Sequence, residues 1–392
     1  MRILTVSYDV PRPDQSSGEL RFFTLLSLLA RQHVLHFYTS AQQATPERDA
    51  AVKKLNLLGI SVETGKFEDL LRRIRFDVVC VEFYNVADNL IDYVRAWQPS
   101  ARFIVDSVDV HFHRLRSKAH LTGLAEDYKS AEIVRDSELG VYSKADLVLT
   151  VSELDSQILR DEGLKSELSV IPNIHEMHPF VSHIRSDRLE LIFIGSYSHP
   201  PNIDAMLYFC HEIMPILRRS VSRLRLRIVG SSPTEDVKSL AAQDIEVVGF
   251  VPETTSYLLT SDVSIAPLLF GGGIKGKIGE AQAHGLPVVT TSIGAEGFGF
   301  KVGVDVLVAD TPQVFADSIA VLWQDQHLNE RIRKSGWEYI DQRYSVRAVA
   351  ELIPPIFERL SLSVPKPMSH IKRTKIIAGS YLDKHVLWRI KT

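Results

Sequence analysis

Cysteine, long apolar runs and metal-binding clusters are scarce or absent in this sequence of 392 residues. Its two cysteines, Cys80 and Cys210, are far apart and have apolar neighbours, so they predict buried thiols in a reducing compartment, without a disulfide framework. No Cys/His cluster has zinc-site spacing, and no segment has the roughly 20 apolar residues that a membrane span needs. The first residues lead directly into a strand pattern without signal-peptide features. These absences predict a cytoplasmic protein with no structural metal.

Several ligand classes are also disfavoured. The net charge of −3 provides no bulk attraction for nucleic acid. The first loop, residues 9–19, lacks the G-x-G-x-x-G pattern that binds a dinucleotide, which argues against an NAD enzyme. Asp106 and Asp109 are separated by two residues, so they do not form a D-x-D metal pair. We therefore predict chemistry without a resident cofactor or metal ion, in which positive side chains and helix amides supply the electrostatic stabilisation.

Short apolar runs alternate with amphipathic stretches along most of the chain, and the hydrophobic fraction of 45% is typical of a protein with a full core. Strand–helix alternation predicts parallel sheets with helices on both faces, and the length fits two such doubly wound domains. The polar, weakly periodic stretch 175–188 separates them, which predicts domains over 1–180 and 181–345. Ligands of such folds bind outside the carboxyl ends of the strands, so we expect the site in a cleft between the domains.

The most informative stretch, residues 270–297, has the sequence FGGGIKGKIGEAQAHGLPVVTTSIGAEG. A glycine-rich loop with Lys275 and Lys277 leads directly into a short helix. Helix N-termini bind anions because their first amides lack internal partners and the helix dipole adds partial positive charge. The stretch therefore predicts a diphosphate-binding loop, with Glu280 one turn deeper to accept hydrogen bonds from ribose hydroxyls. The alternative is an ordinary strand–loop–helix with a flexible glycine tip, which a lone glycine triplet would favour.

This stretch closely resembles the donor-site segment of retaining family 4 glycosyltransferases, which have the GT-B fold of two facing Rossmann-like domains. The family usually has a glutamate pair, E-x7-E, followed by A-x-A-x-G-x-P-V-V. Here Glu280 matches the second glutamate, and Gly272 stands in place of the first. The sequence is similar to the branch with a G-G-G-x-K/R loop, in which amides and a lysine take over part of the binding. The donor contacts that the resemblance implies come from Gly195, Gly271, Gly272, Gly273, Ile274, Lys275, Glu280 and, through its backbone at the nucleotide base, Val251.

The first domain offers candidate residues in two loops. At the end of the predicted strand 102–108, His111 resembles the family histidine that lies beside the reacting sugar, and Asp109 can help to position hydroxyls. His113 is the competing histidine, because its spacing puts it close by. In the loop after the first strand, Gly18 lets the backbone approach a ligand, and the matching family loop lies near the donor phosphates and the acceptor.

The second domain opens with Gly195, after which many family members carry Arg and Lys that hold phosphate. Here residues 196–199 are Ser-Tyr-Ser-His, so the phosphate charge must be met elsewhere. Lys275 and Lys277 are the candidates, and we assign Lys277 a catalytic role in stabilising the leaving diphosphate. Asn202 is predicted to cap the helix that follows.

The last part of the chain divides in two. A helical stretch over 346–361, interrupted by Pro354 and Pro355, matches the last family helix, which crosses back onto the first domain. Residues 362–392 hold seven basic residues and one acid, with apolar residues interleaved. Such a tail can lie on an anionic membrane surface, which predicts peripheral contact at the inner face of the membrane. A tail packed on its own protein or disordered is the favoured alternative.

Together these residues predict a glycosyltransferase that moves a sugar from a nucleotide-diphosphate donor to a hydroxyl of a carbohydrate, lipid-linked or protein acceptor, in polysaccharide, glycolipid or glycoprotein assembly. Retention at the anomeric carbon is implied by the family alone. The spacing of the acids does not indicate it, since no paired carboxylates of the glycosidase type are evident. Two other hypotheses stay open: a sugar-nucleotide epimerase on the same fold, and a non-catalytic subunit that binds a nucleotide sugar. The acid missing at Gly272 makes the first harder and the second conceivable.

Overall fold

The computed structural model describes residues 1–41, 45–181, 183 and 185–385. The end of the predicted tail, residues 386–392, lies outside this range. Among the described helices, none is both long enough and apolar enough to cross a membrane.

The first domain is built on a parallel sheet whose central strands are mostly apolar and are buried along their whole length, because helices cover both faces. The strands are β1 (Arg2–Val6), β2 (Val34–Tyr38), β3 (Ser61–Glu63), β4 (Val78–Glu82), β5 (Arg102–Asp106), β6 (Leu147–Thr150) and β7 (Glu167–Val170). Over the described residues they form a seven-stranded sheet in the order β3-β2-β1-β4-β5-β6-β7. The edge strand β3 was not predicted, since three partly exposed residues carry too little periodicity.

The helices of the first domain begin at polar caps where the chain leaves the sheet. Ser16 accepts a hydrogen bond from the amide of Glu19 at 3.2 Å, and Ser152 accepts one from Asp155 at 3.0 Å, which satisfies amides without an intrahelical partner. The helices are α1 (Ser17–Ala30), α2 (Pro46–Leu57), α3 (Phe67–Arg73), α4 (Tyr84–Trp97), α5 (His111–Thr122), α6 (Ala125–Tyr142) and α7 (Glu153–Asp161).

The second domain repeats the design. Its strands are β8 (Leu189–Ile194), β9 (Leu224–Val229), β10 (Ile245–Gly249), β11 (Val263–Ala266), β12 (Val288–Thr290) and β13 (Leu307–Val308), and in the described chain they form a six-stranded sheet in the order β10-β9-β8-β11-β12-β13. Its helices are α8 (Pro200–Tyr208), α9 (Met214–Ser220), α10 (Glu235–Lys238), α11 (Thr255–Leu259), α12 (Gly276–Ala283), α13 (Ser292–Ala295), α14 (Pro312–Gln324) and α15 (Gln326–Tyr344), with a π-helical turn over Phe209–Ile213.

The predicted helix start at Asn202 is wrong. Helix α8 begins two residues earlier, at Pro200, and His199 occupies the N-cap position. Proline suits the first helical position because its φ is already helical and the amide it lacks would have no partner there. The side chain of Asn202 is therefore free to act elsewhere.

Each sheet reverses its strand order once, between β1 and β4 in the first domain and between β8 and β11 in the second. Residues that follow these strands line one cleft between the domains. This arrangement is the GT-B architecture, so the predicted fold is confirmed.

Helix α16 (Val346–Leu362) packs in the core of the first domain, on the face of the sheet that α1 also covers. The predicted interruption is wrong, because α16 continues through Pro354 and Pro355. Both prolines are exposed, so the carbonyl groups that lose an amide partner face solvent. The buried face, with Ile353 and Phe357, stays continuous.

The described part of the tail is packed on the first domain. Helix α17 (His370–His385) lies against α4, where Lys372 Nζ is 2.8 Å from Asp92 and Arg373 Nε donates to the carbonyl of Ala96 at 2.9 Å. Before this helix, the amide of Lys366 donates to buried Asp146 Oδ1 at 2.6 Å. These contacts support the packed-tail interpretation for residues 362–385.

We expect truncation after Ser361 to lower the melting temperature by several degrees, because Asp146 loses a buried hydrogen-bond donor, at a cost of about 1–3 kcal/mol. Lys372→Met is the control, since its ion pair is exposed and contributes only about 0–1 kcal/mol. Calorimetry measures the melting, and sedimentation with anionic vesicles tests the membrane alternative. An unchanged melting temperature together with lost vesicle binding would contradict the packed tail.

Candidate active site

The site is a cleft of about 830 Å³ between the carboxyl ends of the two sheets. All the site residues predicted from the sequence line this one cleft, although they come from loops far apart in the chain. They are Gly18, Asp109, His111, Gly195, Val251, Gly271, Gly272, Gly273, Ile274, Lys275, Lys277 and Glu280.

The glycine loop, residues 271–276, approaches the first domain so closely that Gly272 and Gly276 have no room for a side chain. A Cβ atom on Gly276 would lie 2.2 Å from Ser17 Cβ at the start of α1. The amide of Gly271 donates to Ser117 Oγ at 3.2 Å, and Asn173 Nδ2 donates to the carbonyl of Ile274 at 3.3 Å. Three separate elements of the first domain therefore position a loop of the second.

The same proximity explains the missing acid of the family pattern. A Cβ atom on Gly272 would lie 2.8 Å from Arg114 Cβ, closer than nonbonded carbons approach. A glutamate here would displace either the glycine loop or the start of α5. The space of the absent side chain is taken by Arg114, whose guanidinium pairs with the carboxylate of Asp109.

The N-terminal end of α12 points into the cleft without a side-chain cap. Lys275 holds the N-cap position in an extended conformation and makes no capping hydrogen bond. The first amides of the helix, from Gly276 and Lys277, are left for a ligand or water. This end can bind an anion through the mechanism that the sequence predicted.

The two lysines differ in how much of their charge is already matched. Lys275 is 8% exposed, and its Nζ lies 3.3 Å from Glu296 Oε2. Burial lowers the pKa of Lys275, against the opposing charge of Glu296. The other oxygen of Glu296 is 3.1 Å from His113 Nε2, so Lys275 belongs to an ion cluster that links the domains.

Lys277 has no ionic partner of this kind. Its Nζ donates to Asn202 Oδ1 and lies 4.2 Å from the centroid of the Phe193 ring. Burial and the neighbouring charge of Lys275 lower the pKa of Lys277 to about 7. An incoming diphosphate would therefore meet an amine ready to become charged.

Asn202, which the sequence predicted only as a helix cap, lines the cleft and binds Lys277. Its Oδ1 accepts from Lys277, and its Nδ2 donates to the carbonyl of Ser196 at 2.7 Å. A Cβ atom on Gly195 would lie 2.8 Å from that Nδ2 and 3.1 Å from Lys277 Nζ, so glycine is required beside this pair. No local sequence signal reveals a contact between residues 75 positions apart.

Glu280 lies one turn into α12 and lines the cleft. Thr254 Oγ1 donates to its Oε1, and Val251 lines the cleft on the same loop as Thr254. Burial raises the pKa of Glu280, while the hydrogen bond from Thr254 and the charge of Lys277 oppose this shift. The carboxylate keeps Oε2 for a further donor, as ribose hydroxyls would supply.

The first domain contributes a compact ionic group. His111 Nε2 lies 2.8 Å from Asp109 Oδ1, and Arg114 Nε lies 3.0 Å from Asp109 Oδ2. Burial lowers the pKa of His111, but the hydrogen bond and charge of Asp109 outweigh it, so the net shift is upward. The carboxylate of Glu138 accepts hydrogen bonds from the backbone amides of His111 at 3.2 Å and Phe112 at 3.1 Å, which fixes the start of α5.

The geometry separates the two candidate histidines. His111 lines the cleft beside Asp109, whereas His113 pairs with Glu296. Two residues that line the same cleft have positive φ, Phe83 with φ 68° after β4 and Val108 with φ 62° after β5. Such conformations are costly for bulky residues and concentrate at functional sites. Sequence analysis missed both, because neither residue type signals a left-handed backbone.

Across the described ranges, no group of three or more His, Cys, Asp or Glu side chains is placed to hold a metal ion.

Residues 188–325 match the family model Glycosyl transferases group 1. An uncharacterized 44.6 kDa protein in the cps region of Klebsiella pneumoniae is 24% identical over 224 residues. That similarity covers 53% of this chain and 56% of the relative's length, so it spans only about half of each protein.

Solved structures resemble nearly the whole chain. HepE of Anabaena, in complex with UDP and glucose, has a TM-score of 0.67 at 15% identity and covers 93% of this chain and 100% of its own. Sucrose-phosphate synthase from Thermosynechococcus elongatus has a TM-score of 0.69 at 13% identity, and the match covers 92% of this chain and 99% of the synthase. A glycosyltransferase from Rickettsia africae has a TM-score of 0.64 at 15% identity, and the match covers 92% of this chain and 98% of that protein. The chain thus has the GT-B fold, and the family match lies within its second domain.

Proposed function

We propose that the protein is a retaining family 4 glycosyltransferase that uses a nucleotide-diphosphate sugar as donor. The observation that carries this proposal is the uncapped N-terminal end of α12 beside Lys277, whose charge has no ionic partner among the described residues. This combination favours the binding of an anion, and a diphosphate matches it. The group 1 match over 188–325 and the UDP complexes of structural neighbours support the same donor class.

The donor lies along the second domain in this proposal. The amides of the glycine loop and α12 bind the diphosphate together with Lys275 and Lys277. Glu280 accepts a ribose hydroxyl on its Oε2, and the backbone at Val251 contacts the base. The sugar then extends toward Asp109 and His111 of the first domain.

Transfer proceeds by front-face substitution. The bond between the anomeric carbon and the diphosphate oxygen breaks, and the diphosphate leaves with the bonding electrons. The acceptor hydroxyl oxygen bonds the same face of that carbon, and its proton passes to the leaving phosphate oxygen. Lys277 stabilises the charge that develops on the leaving group, and no metal ion takes part.

The acceptor is a hydroxyl compound used in the assembly of a polysaccharide, glycolipid or glycoprotein. The similarity to a protein in the cps region of Klebsiella pneumoniae supports an extracellular polysaccharide. The enzyme acts in the cytoplasm, and contact with the inner face of the membrane through 362–392 would bring it to a lipid-linked acceptor.

Incubation with a panel of nucleotide sugars in the presence of EDTA tests the function. We expect nucleotide release that accelerates when acceptor sugars are added, with the donor's anomeric configuration kept in the product seen by NMR. Lys277→Met should lose at least about tenfold in rate, because it removes charge stabilisation of the leaving group. An epimerised donor would instead identify an epimerase, and nucleotide-sugar binding without turnover would identify a non-catalytic subunit.

Donor binding should take up a proton at pH 8. The pKa of free Lys277, about 7, leaves the amine mostly neutral at this pH, and a bound diphosphate raises that pKa, so about one proton enters per UDP bound. Calorimetry in buffers of different ionisation enthalpy measures the uptake.

Lys277→Met should abolish this uptake. His199→Asn is the control and should keep it, because burial lowers the pKa of His199 and leaves that ring neutral at pH 8. UDP binding with no proton uptake by the unaltered protein would contradict the assignment.

Adding a side chain at Gly272 should damage the site. Gly272→Ala forces a Cβ atom to within 2.8 Å of Arg114 Cβ, and such overpacking costs about 1–3 kcal/mol in stability or in donor affinity. Gly140→Ala is the matched control, since a Cβ atom there meets nothing within 4 Å. Melting temperature and the UDP dissociation constant measure the effect, and equal behaviour of the two variants would refute it.

A further inference from the structure

A buried polar row crosses the strand-order reversal of the first sheet. Parallel pairing places Val6 beside Val81 and Glu82 beside Asp106, so Ser7, Glu82 and Asp106 stand side by side at the carboxyl ends of β1, β4 and β5. Ser7 is 6% exposed and Glu82 is 5% exposed, and both line the cleft. Neither residue has a role in the donor site described above.

Arg21 contacts this row, and its positive charge is already paired with Asp106. Arg21 binds Asp106 in a bidentate pair, with Nη1 2.7 Å from Oδ2 and Nη2 3.1 Å from Oδ1. Arg21 also donates to the carbonyls of Ile171 and Pro172. The guanidinium of Arg21 is therefore held by Asp106 and by these two carbonyl groups. Glu82 is left without an ionic partner among the described residues.

Glu82 is consequently an uncharged acid near neutral pH. Burial, with repulsion from Asp106, raises the pKa of Glu82 to about 8, against the hydrogen bond from Ser7 and the charge of Arg21. A protonated carboxyl can donate one hydrogen bond and accept others.

Half of this carboxyl group lacks a protein partner. Ser7 Oγ donates to Oε2, whereas Oε1 has no hydrogen-bond partner in the described part of the chain. Because Glu82 lines the cleft, its Oε1 can be reached by a ligand or water that completes its hydrogen bonding. The open side of Glu82 is the cleft.

The position next to Glu82 is strained and contacts the proposed reaction centre. Phe83 has φ 68°, and its ring stacks on His111 with centroids 6.4 Å apart and lies 5.2 Å from the ring of Tyr8. Phe83 thus connects the end of β4 to His111, and Ser7, Glu82 and His111 line the same cleft.

We propose that Glu82 and Ser7 bind the acceptor, and that the group they bind is a hydroxyl-bearing sugar ring. This inference rests on the proposed glycosyl transfer and narrows its acceptor to a carbohydrate. The acid and the serine together offer donor and acceptor atoms side by side, which matches adjacent hydroxyls that each donate and accept.

Other acceptor classes fit this pair less well. An amine would require an ionised carboxylate, and a long alkyl chain would leave both polar groups unsatisfied. A protein loop would have to reach the floor of the cleft, whereas the terminal ring of a glycan can enter it. The saccharide is the class whose polar groups the pair satisfies.

Binding of simple sugars tests the proposal independently of turnover. The probes are methyl glycosides of glucose, galactose and mannose, followed by saturation-transfer NMR with and without UDP. Glu82→Ala and Ser7→Ala should each weaken the binding of the preferred glycoside at least about fivefold, as loss of a hydrogen bond implies. Glu82→Gln should keep most of it, because the amide also donates and accepts. Glu246→Gln, on an exposed strand residue, is the matched control.

The dissociation constant of UDP separates the two proposals. It should be unchanged in every variant, so loss of glycoside binding with UDP binding intact supports the acceptor site. Failure of UDP to bind the unaltered protein would count against the proposed donor instead. If no glycoside binds the unaltered protein, or if Ser7→Ala and Glu82→Gln both bind glycosides normally while Glu82→Ala merely unfolds, the acceptor proposal is overturned.

Discussion

The close approach of the glycine loop to the first domain is the constraint on which the site depends. Gly272 and Gly276 abut Arg114 and Ser17 at distances that leave no room for a Cβ atom. Because the loop is held there, the end of α12 and Lys277 face Asp109 and His111 across one cleft. A side chain at Gly272 or Gly276 would push the loop away from the first domain and separate the two sides of the cleft.

That proximity also changes how charge is distributed. In the usual family pattern an acid stands where Gly272 lies, whereas here Asp109 supplies a carboxylate from the other domain, held by His111 and Arg114. Lys275 is matched by Glu296, which leaves Lys277 as the adaptable cation. The cleft therefore keeps one amine whose protonation can follow the charge of a ligand.

Local patterns were sufficient to predict the two-domain fold and the lining of the cleft, because strand–helix alternation and the glycine loop are properties of contiguous residues. They were insufficient for Asn202, whose task is a contact with Lys277 that exists only after folding. The same holds for Phe83 and Val108, whose left-handed backbones are imposed by tertiary packing. The interruption predicted at the prolines of α16 was wrong for a related reason, because burial of one face of the helix outweighs the two hydrogen bonds that the prolines remove.

Both sheets place cleft-lining polar groups beside the strand-order reversal. There the loops after neighbouring strands diverge to opposite faces and leave a crevice that no helix covers. Glu82 lies at this position in the first sheet, and Gly195 with its neighbour Asn202 lies at the equivalent position in the second. A polar group there can be buried without a full set of protein partners, because the crevice admits a ligand or water. The topology itself thus creates paired binding positions, one on each side of the cleft, before any particular substrate is specified.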